Sequence, residues 1–417
     1  MITQYPPQGA GSDNPVYVTF PPTATDAFGR LQVSSPYTLF DSQNRYAIDN
    51  QFNTATTGTG TTSFLANEAS VNLSVTSGGV GSVVRQSYRS MPYQPGKGLL
   101  VMATFVMDSS TSANLTQRVG YFNTQNGVFF QKVDGTFSFV LRSYITGVAS
   151  DARTVTQANW NGDKLDGTGP SGLTLDPSKA QILWMDFEWL GVGSVRCGFV
   201  INGVFYVCHT FNNANLISNV YMTTAILPVR YEITSAAALA ASLKQICSTV
   251  ISEGGYEQES VEHVARRTTV LGTINTAANF IPVVSIRLAS TALGAVVLPT
   301  GIKFQPTTLQ NYEIALIKNP TLTGASWTAV SSDPNVEYDV TATAISAAGT
   351  IVQTGYIASS GGGGQATTVS PTGYNWDLQL GATQAGVSDI YTLGVRTISG
   401  ATTGDGVGSL SFYDLTY

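Results

Sequence analysis

Charge is what this chain has least of. Only 11% of its 417 residues are Asp, Glu, Lys or Arg, against roughly a quarter in an ordinary soluble domain. Histidine occurs twice and cysteine three times. Most acid–base catalysis therefore lacks its groups, and two histidines leave little for a zinc site or a Ser-His-Asp triad. No Gly-x-Ser-x-Gly elbow is present. The 20 basic residues are outnumbered by 26 acidic ones, for a net charge of −6. They form no cluster, and nucleic-acid backbones are bound through clustered Lys and Arg, so no nucleic-acid partner is expected. No run approaches ~18 apolar residues, so no membrane insertion is expected. The opening MITQYPPQGAGSDNP lacks the basic start and apolar stretch of a signal peptide, which points to synthesis and solubility in a cytosol. Three cysteines cannot build a disulfide framework. No cofactor is implied.

What is abundant is glycine, 42 residues, with long tracts of Thr, Ser, Ala and Asn, and a hydrophobic fraction of 43%. The chain can bury a core while staying soluble on hydroxyls and amides, which suits assembled, extracellular or virion β-proteins. Segments 70–76, 99–106, 127–133, 136–142, 181–190, 195–201 and 204–211 read as strands, rich in Val, Ile, Phe and Tyr and bounded by turn residues. Asp134-Gly135 and Asn202-Gly203 are two-residue hairpin turns. The second puts Ile201 opposite Val204 and, counting back, Cys197 opposite Cys208. Opposed residues lie ~5.5 Å apart at Cα, within disulfide reach. Two reduced, buried, facing thiols are the reading that fits a cytosol-assembled protein. Residues 235–243 (SAAALAASL) are either a short helix or a loop between strands.

Residues 1–24 hold five of the seventeen prolines and little periodicity, so 1–50 is expected as an extended arm. Residues 51–260 form a β-sandwich whose strand order looks like a lectin or laminin-G type jelly roll. Residues 261–270 (VEHVARRTTV) carry the densest charge and are expected as a linker. Residues 271–417 form a second, smaller β-sandwich, with Gly361–Gly364 as an exposed loop. The fold class is all-β.

The stretch DAFGRLQVSSPYTLFDSQ (26–43) resembles a segment near the N-terminus of virion structural proteins from tailed bacteriophages, particularly those of cyanobacteria. LDGTGPSG (165–172), WLGVG (189–193), LPVRYE (227–232) and ICSTVISEGGY (246–256) carry the same resemblance, which covers about residues 25–260. It implies a virion component, assembled in the host cytoplasm. It brings no catalytic residues.

Most candidate chemistry has an ordinary reading beside it. His209 follows Cys208 on a strand, so the two side chains point to opposite faces. Asn161–Gly167 looks like a calcium loop, with Asp163 and Asp166 as ligands, but Leu165 stands where an EF-hand needs Asp or Asn. An Asx-turn surface loop is the plainer reading. Asp186 and Glu188 lie two apart on a strand flanked by Trp184 and Trp189, hence ~7 Å apart on one face, and could cleave a polysaccharide. Otherwise they face solvent or a subunit contact while Met185, Phe187 and Trp189 fill the core.

These observations lead to a non-enzymatic virion component, tail-associated or fibre-like, that adheres to host-surface glycan. Its partners are further copies of itself, as a trimer, and other virion proteins met through the arm, with Phe28, Arg30, Leu31, Leu39 and Phe40 as anchor residues. A capsid decoration protein is the first alternative, and a depolymerase using Asp186 and Glu188 the second.

Overall fold

Asn202 and Gly203 take φ angles of 53° and 77°, and Asp134 and Gly135 take 51° and 83°. Two consecutive left-handed residues make the type I′ turn, whose twist matches that of the strands it joins. Each pair closes a tight hairpin, Ile201 on Val204 and Val133 on Thr136. The structure is a computed structural model describing residues 35–257, 260–276, 279–331, 333–358, 367–369, 376–398 and 403–416. It is all-β, and the chain divides into two units, each a sandwich.

Among the described residues, the first unit holds 35–87 and then Tyr93–Tyr256. One sheet runs, in spatial order, Val204–Phe211, Val195–Ile201, Gln181–Phe187, Leu99–Met107, Ala241–Ser252, Ser70–Val75 and Thr61–Leu65. The other runs Ser150–Thr156, Thr136–Ser143, Gly127–Val133, Leu115–Phe122, Val229–Ser235, Gly81–Ser87 and Phe52–Gly58. Neighbouring strands pair antiparallel and the chain crosses between sheets several times, the jelly-roll pattern. Inward residues alternate along the strands, as in Leu99–Met107, where every second residue is buried. Phe130 sits at the centre, its ring 5.2–6.0 Å from those of Phe105, Phe137, Phe139 and Phe199. A cation also lies in this interior. Arg85, 2% exposed, donates to Gln245 Oε1, to Thr54 Oγ1 at 3.0 Å and to the Asp49 carbonyl at 2.8 Å.

The second unit holds residues from Glu257 onward, together with Tyr88–Pro92. Arg89 Nη1 donates to the Trp376 carbonyl, and Tyr88 O accepts from the Ala382 amide. Its four-stranded sheet runs Glu262–Ile274, Gly404–Asp414, Val297–Pro306, Thr367–Val369. A six-stranded sheet faces it, in the order Thr328–Val330, Asp333–Asp339, Ile281–Leu288, Ile390–Thr397, Asn311–Lys318, Thr350–Ala358. The core between them is mostly aliphatic, with Ile286, Ile302, Ile314, Leu316, Leu393 and Leu410 buried together.

Several expectations need correction. The 261–270 stretch is no linker but most of a long strand, Glu262–Ile274, which among the described residues is an edge strand paired with Gly404–Asp414 alone. Charged side chains on an edge strand keep it from pairing with other chains, which is why its composition imitates a linker. Tyr37–Gln43 is likewise a strand, laid antiparallel on Ala241–Ser252. Leu39 and Phe40 are buried in the first unit, 2% and 1% exposed, and so cannot serve as outward anchors. Phe28, Arg30 and Leu31, like Gly361–Gly364, lie outside the described residues. Of the two readings of 235–243, the loop between strands holds: 236–240 link Val229–Ser235 to Ala241–Ser252.

Cys197 does not face Cys208. The register slips by one between Cys197 and Gly198, so that His209 stands opposite Cys197 and Cys208 is the extra residue of a β-bulge. Both thiols are free and buried, and burial pushes both far above the usual thiol range. Among the described residues no helix is long and apolar enough to cross a membrane.

Candidate functional site

The residues singled out from the sequence are mostly engaged in holding the first sandwich together. Asp163 Oδ1 accepts from the Leu165 amide at 3.0 Å and Oδ2 from the Ser171 amide at 2.8 Å. Asp166 Oδ1 accepts from the amide and hydroxyl of Thr168. Each carboxylate thus closes a local turn, and among the described residues no group of three His, Cys, Asp or Glu side chains is placed to hold a metal. The same loop caps an exposed sheet edge. Asn161 bonds both backbone groups of Thr210, while the amides of Gly162 and Asp163 donate to the Cys208 and Val207 carbonyls. His209 is held neutral there. Its Nδ1 accepts from the Asn161 amide at 3.3 Å, and burial, reinforced by the Arg153 charge, lowers its pKa to about 4.

Asp186 and Glu188 do not face solvent, being 2% and 1% exposed. Asp186 stands directly across the ladder from Arg196 and is ion-paired with it. That pairing leaves no open pair of carboxylates for a sugar. Strand alternation alone misses this, because it treats one face of the sheet as wet.

The outward face of the seven-stranded sheet is rich in charge but closed on itself. Glu232 accepts from Arg230 at 2.7 Å and from Arg118 at 3.0 Å, and Arg142 grips Asp151 at 2.8 Å through two nitrogens. Burial would raise the Glu232 carboxyl, yet the Arg230 and Arg118 charges hold it below its ordinary range. The guanidiniums lie on the buried Phe122 and Phe129 rings, Arg142 at 5.0 Å from the latter.

The open site lies where the edge strands of the two sheets, Ser150–Thr156 and Val204–Phe211, leave the sandwich. A cleft of about 390 Å³ is lined there by Leu141, Ser143, Ile145, Arg153, Leu216, Ile217, Val220 and Tyr221, among others. A shallower groove continues from it past Leu190 and Val192. The size is that of a small-molecule site. Two buried asparagines fix its walls. Asn126, 1% exposed, bonds the Tyr144 amide on one wall and both the amide and the hydroxyl of Thr223 on the other. Asn213, fully buried, accepts from Arg153 through its side chain, donates to the Gly193 carbonyl, and starts the 213–217 turn with its own carbonyl. The cleft is therefore preformed.

Two of its hydroxyls are unsatisfied. Tyr221 is 2% exposed, and its hydroxyl is buried without a hydrogen-bond partner, as is Ser143 Oγ on the same cleft. Burial pushes the phenol well above its usual range, so it stays a donor. A buried, unpaired hydroxyl costs about 1–3 kcal/mol unless something binds it. Arg153 is half-buried, lies 5.3 Å over the Phe211 ring, and donates to Asn213 Oδ1 and the Asn212 carbonyl. Burial lowers its pKa, and the Tyr221 phenol beside it offsets part of that. None of these residues stood out in the sequence, since the cleft joins segments some seventy positions apart.

No family model matches the chain, and no curated protein matches it. Similar solved structures include the Emp47p carbohydrate recognition domain, 10% identical, covering 52% of this chain and 95% of that one at a TM-score of 0.33. Another is the CBM2 module of the evolved Dit of Lactobacillus casei BL23 phage J-1, 5% identical over 53% and 98% of the two chains, TM-score 0.35. Peanut lectin with a 9mer peptide is 10% identical over 52% and 98%, TM-score 0.27. Likenesses this distant carry no argument about what the chain binds.

Proposed function

We propose that this protein is a non-enzymatic structural component of a tailed-phage virion, tail-associated or fibre-like, that contacts host-surface glycan through the cleft of its first sandwich. The observation that carries the adhesive half is the preformed cleft with its two buried, partnerless hydroxyls, Tyr221 OH and Ser143 Oγ. Glycans supply what such a site lacks, an apolar ring face studded with hydrogen-bonding oxygens. The virion half rests on the resemblance of residues 25–260 and on a composition poor in charge. The protein works as a homo-oligomer, a trimer, and meets other virion proteins through its N-terminal arm. With Leu39 and Phe40 in the core, anchoring falls to Phe28, Arg30 and Leu31.

Gold-labelled antibody on intact particles tests the placement. Label on the tail or its fibres is the expected result. Label spread over the head would make this a decoration protein, and an unlabelled particle would end the virion reading.

A further inference from the structure

The cleft contains donors and hydrocarbon but no carboxylate. Its lining offers the Arg153 guanidinium, the Tyr221 phenol and the Ser143 hydroxyl, among the side chains of Ile145, Leu216, Ile217 and Val220. Of the five N–H groups a guanidinium carries, one goes to Asn213 Oδ1 and one to the Asn212 carbonyl. Those two bonds fix the plane of the group and leave the rest for a ligand. Elsewhere on the first unit Arg118, Arg142, Arg196 and Arg230 each have a carboxylate at hand. Arg153 has none among the described residues. A half-buried cation beside a buried, unpaired donor selects an anion with two acceptor oxygens, and a planar carboxylate fits a guanidinium edge-on.

We propose that the cleft is an acidic-saccharide site. The carboxylate of a uronic or similar sugar accepts hydrogen bonds from Arg153 and the Tyr221 hydroxyl, and the apolar face of the sugar packs on Ile145, Ile217 and Val220. This rests on the cleft being the glycan contact proposed above.

Calorimetric titration of the full-length protein tests it, with a galacturonate trimer, N-acetylneuraminic acid and the carboxyl-reduced trimer as probes. At least one acidic probe should bind about tenfold more tightly than the reduced trimer, with an affinity that weakens as salt rises. In Arg153→Gln, which keeps a side-chain amide to bond Asn213, that preference should shrink to about twofold. Tyr221→Phe, which keeps the shape of the wall, should lose about three- to tenfold on the acidic probe alone. Equal binding of acidic and reduced probes would overturn the acidic specificity while leaving a glycan site in place. If all three probes and purified host polysaccharide fail to bind, the glycan reading falls with it. Should Leu216→Asp or Ile217→Asp alter the oligomeric state instead, the cleft is a contact between copies.

Discussion

In the first sandwich the fold holds Asp151 and Glu232 charged and His209 neutral, the forms these groups already have at neutral pH. In the second it pushes Asp333 the other way, toward the protonated form. Burial raises the Asp333 carboxyl, and the Asp414 carboxylate beside it raises it further. Asp414 has collected the available donors, Asn335 Nδ2 and the amide and hydroxyl of Thr416, whereas Asp333 Oδ2 is buried without a partner. In the first unit two buried hydroxyls without a partner, Tyr221 OH and Ser143 Oγ, belong to residues that line a cleft. In the second, a buried carboxyl pair, Asp333 and Asp414, accompanies a mostly aliphatic core. Buried oxygens without a partner thus sit in different settings at these two places: beside an open cleft at Tyr221 and Ser143, against a like charge at Asp333.

The largest effect that would sharpen this contrast is at Arg85. Arg85→Ala removes a buried cation from the first core and strands three acceptors, for a loss of about 3–5 kcal/mol. Peptide-resolved hydrogen exchange should show faster opening in the first unit and an unchanged second unit. Uniform loosening of both would deny that the two cores are independent.

Acid should separate them next. His209 has a folded pKa of about 4, below the ordinary 6.5, so its contribution is complete above 6.5 and lost as pH falls toward 4. The loss is about 2–3 kcal/mol. Asp151 and Glu232, also depressed, add to it at lower pH. His209→Asn, which keeps an acceptor for the Asn161 amide, should flatten the first unit's stability between pH 6.5 and 4. An unaltered slope would show that His209 is not the titrating group.

Asp333 carries the opposite sign. Its raised carboxyl contributes most below the ordinary aspartate pKa, and that contribution is lost as pH rises through the raised value. Asp333→Asn keeps an oxygen for the Asn335 amide and should stabilise the second unit by on the order of 1 kcal/mol at neutral pH. A destabilised variant would mean that the carboxyl pair is a source of strength. Smallest of all, Cys247→Ser should alter stability by less than about 0.5 kcal/mol. Cys247 should also be the one cysteine that a thiol reagent labels in the folded protein, since Cys197 and Cys208 are buried.

Local chemistry made much of the fold legible. Asn-Gly and Asp-Gly turns specify left-handed backbone, and the strands that flank them, Gly127–Val133, Val195–Ile201 and Val204–Phe211, fall where alternation placed them. What failed was whatever depends on a second layer. One bulged residue, Cys208, moves His209 opposite Cys197, and no count along the strand reveals it. Asp186 looks solvent-facing until Arg196 on the next strand is known to neutralise it. The charges of 261–270 suggested a linker because an edge strand and a linker are both polar. The cleft was least legible, since Arg153, Tyr221, Asn126 and Asn213 act only where distant loops meet.

The central claim is that this cleft, and no other surface, takes the ligand. Hydrogen exchange on the full-length protein with and without purified host-envelope polysaccharide tests it most directly. Slowed exchange confined to residues 143–153 and 213–223 is the predicted result. Protection in the second unit, or on the Arg118–Glu232–Arg230 face of the first, with the cleft unchanged, would contradict it.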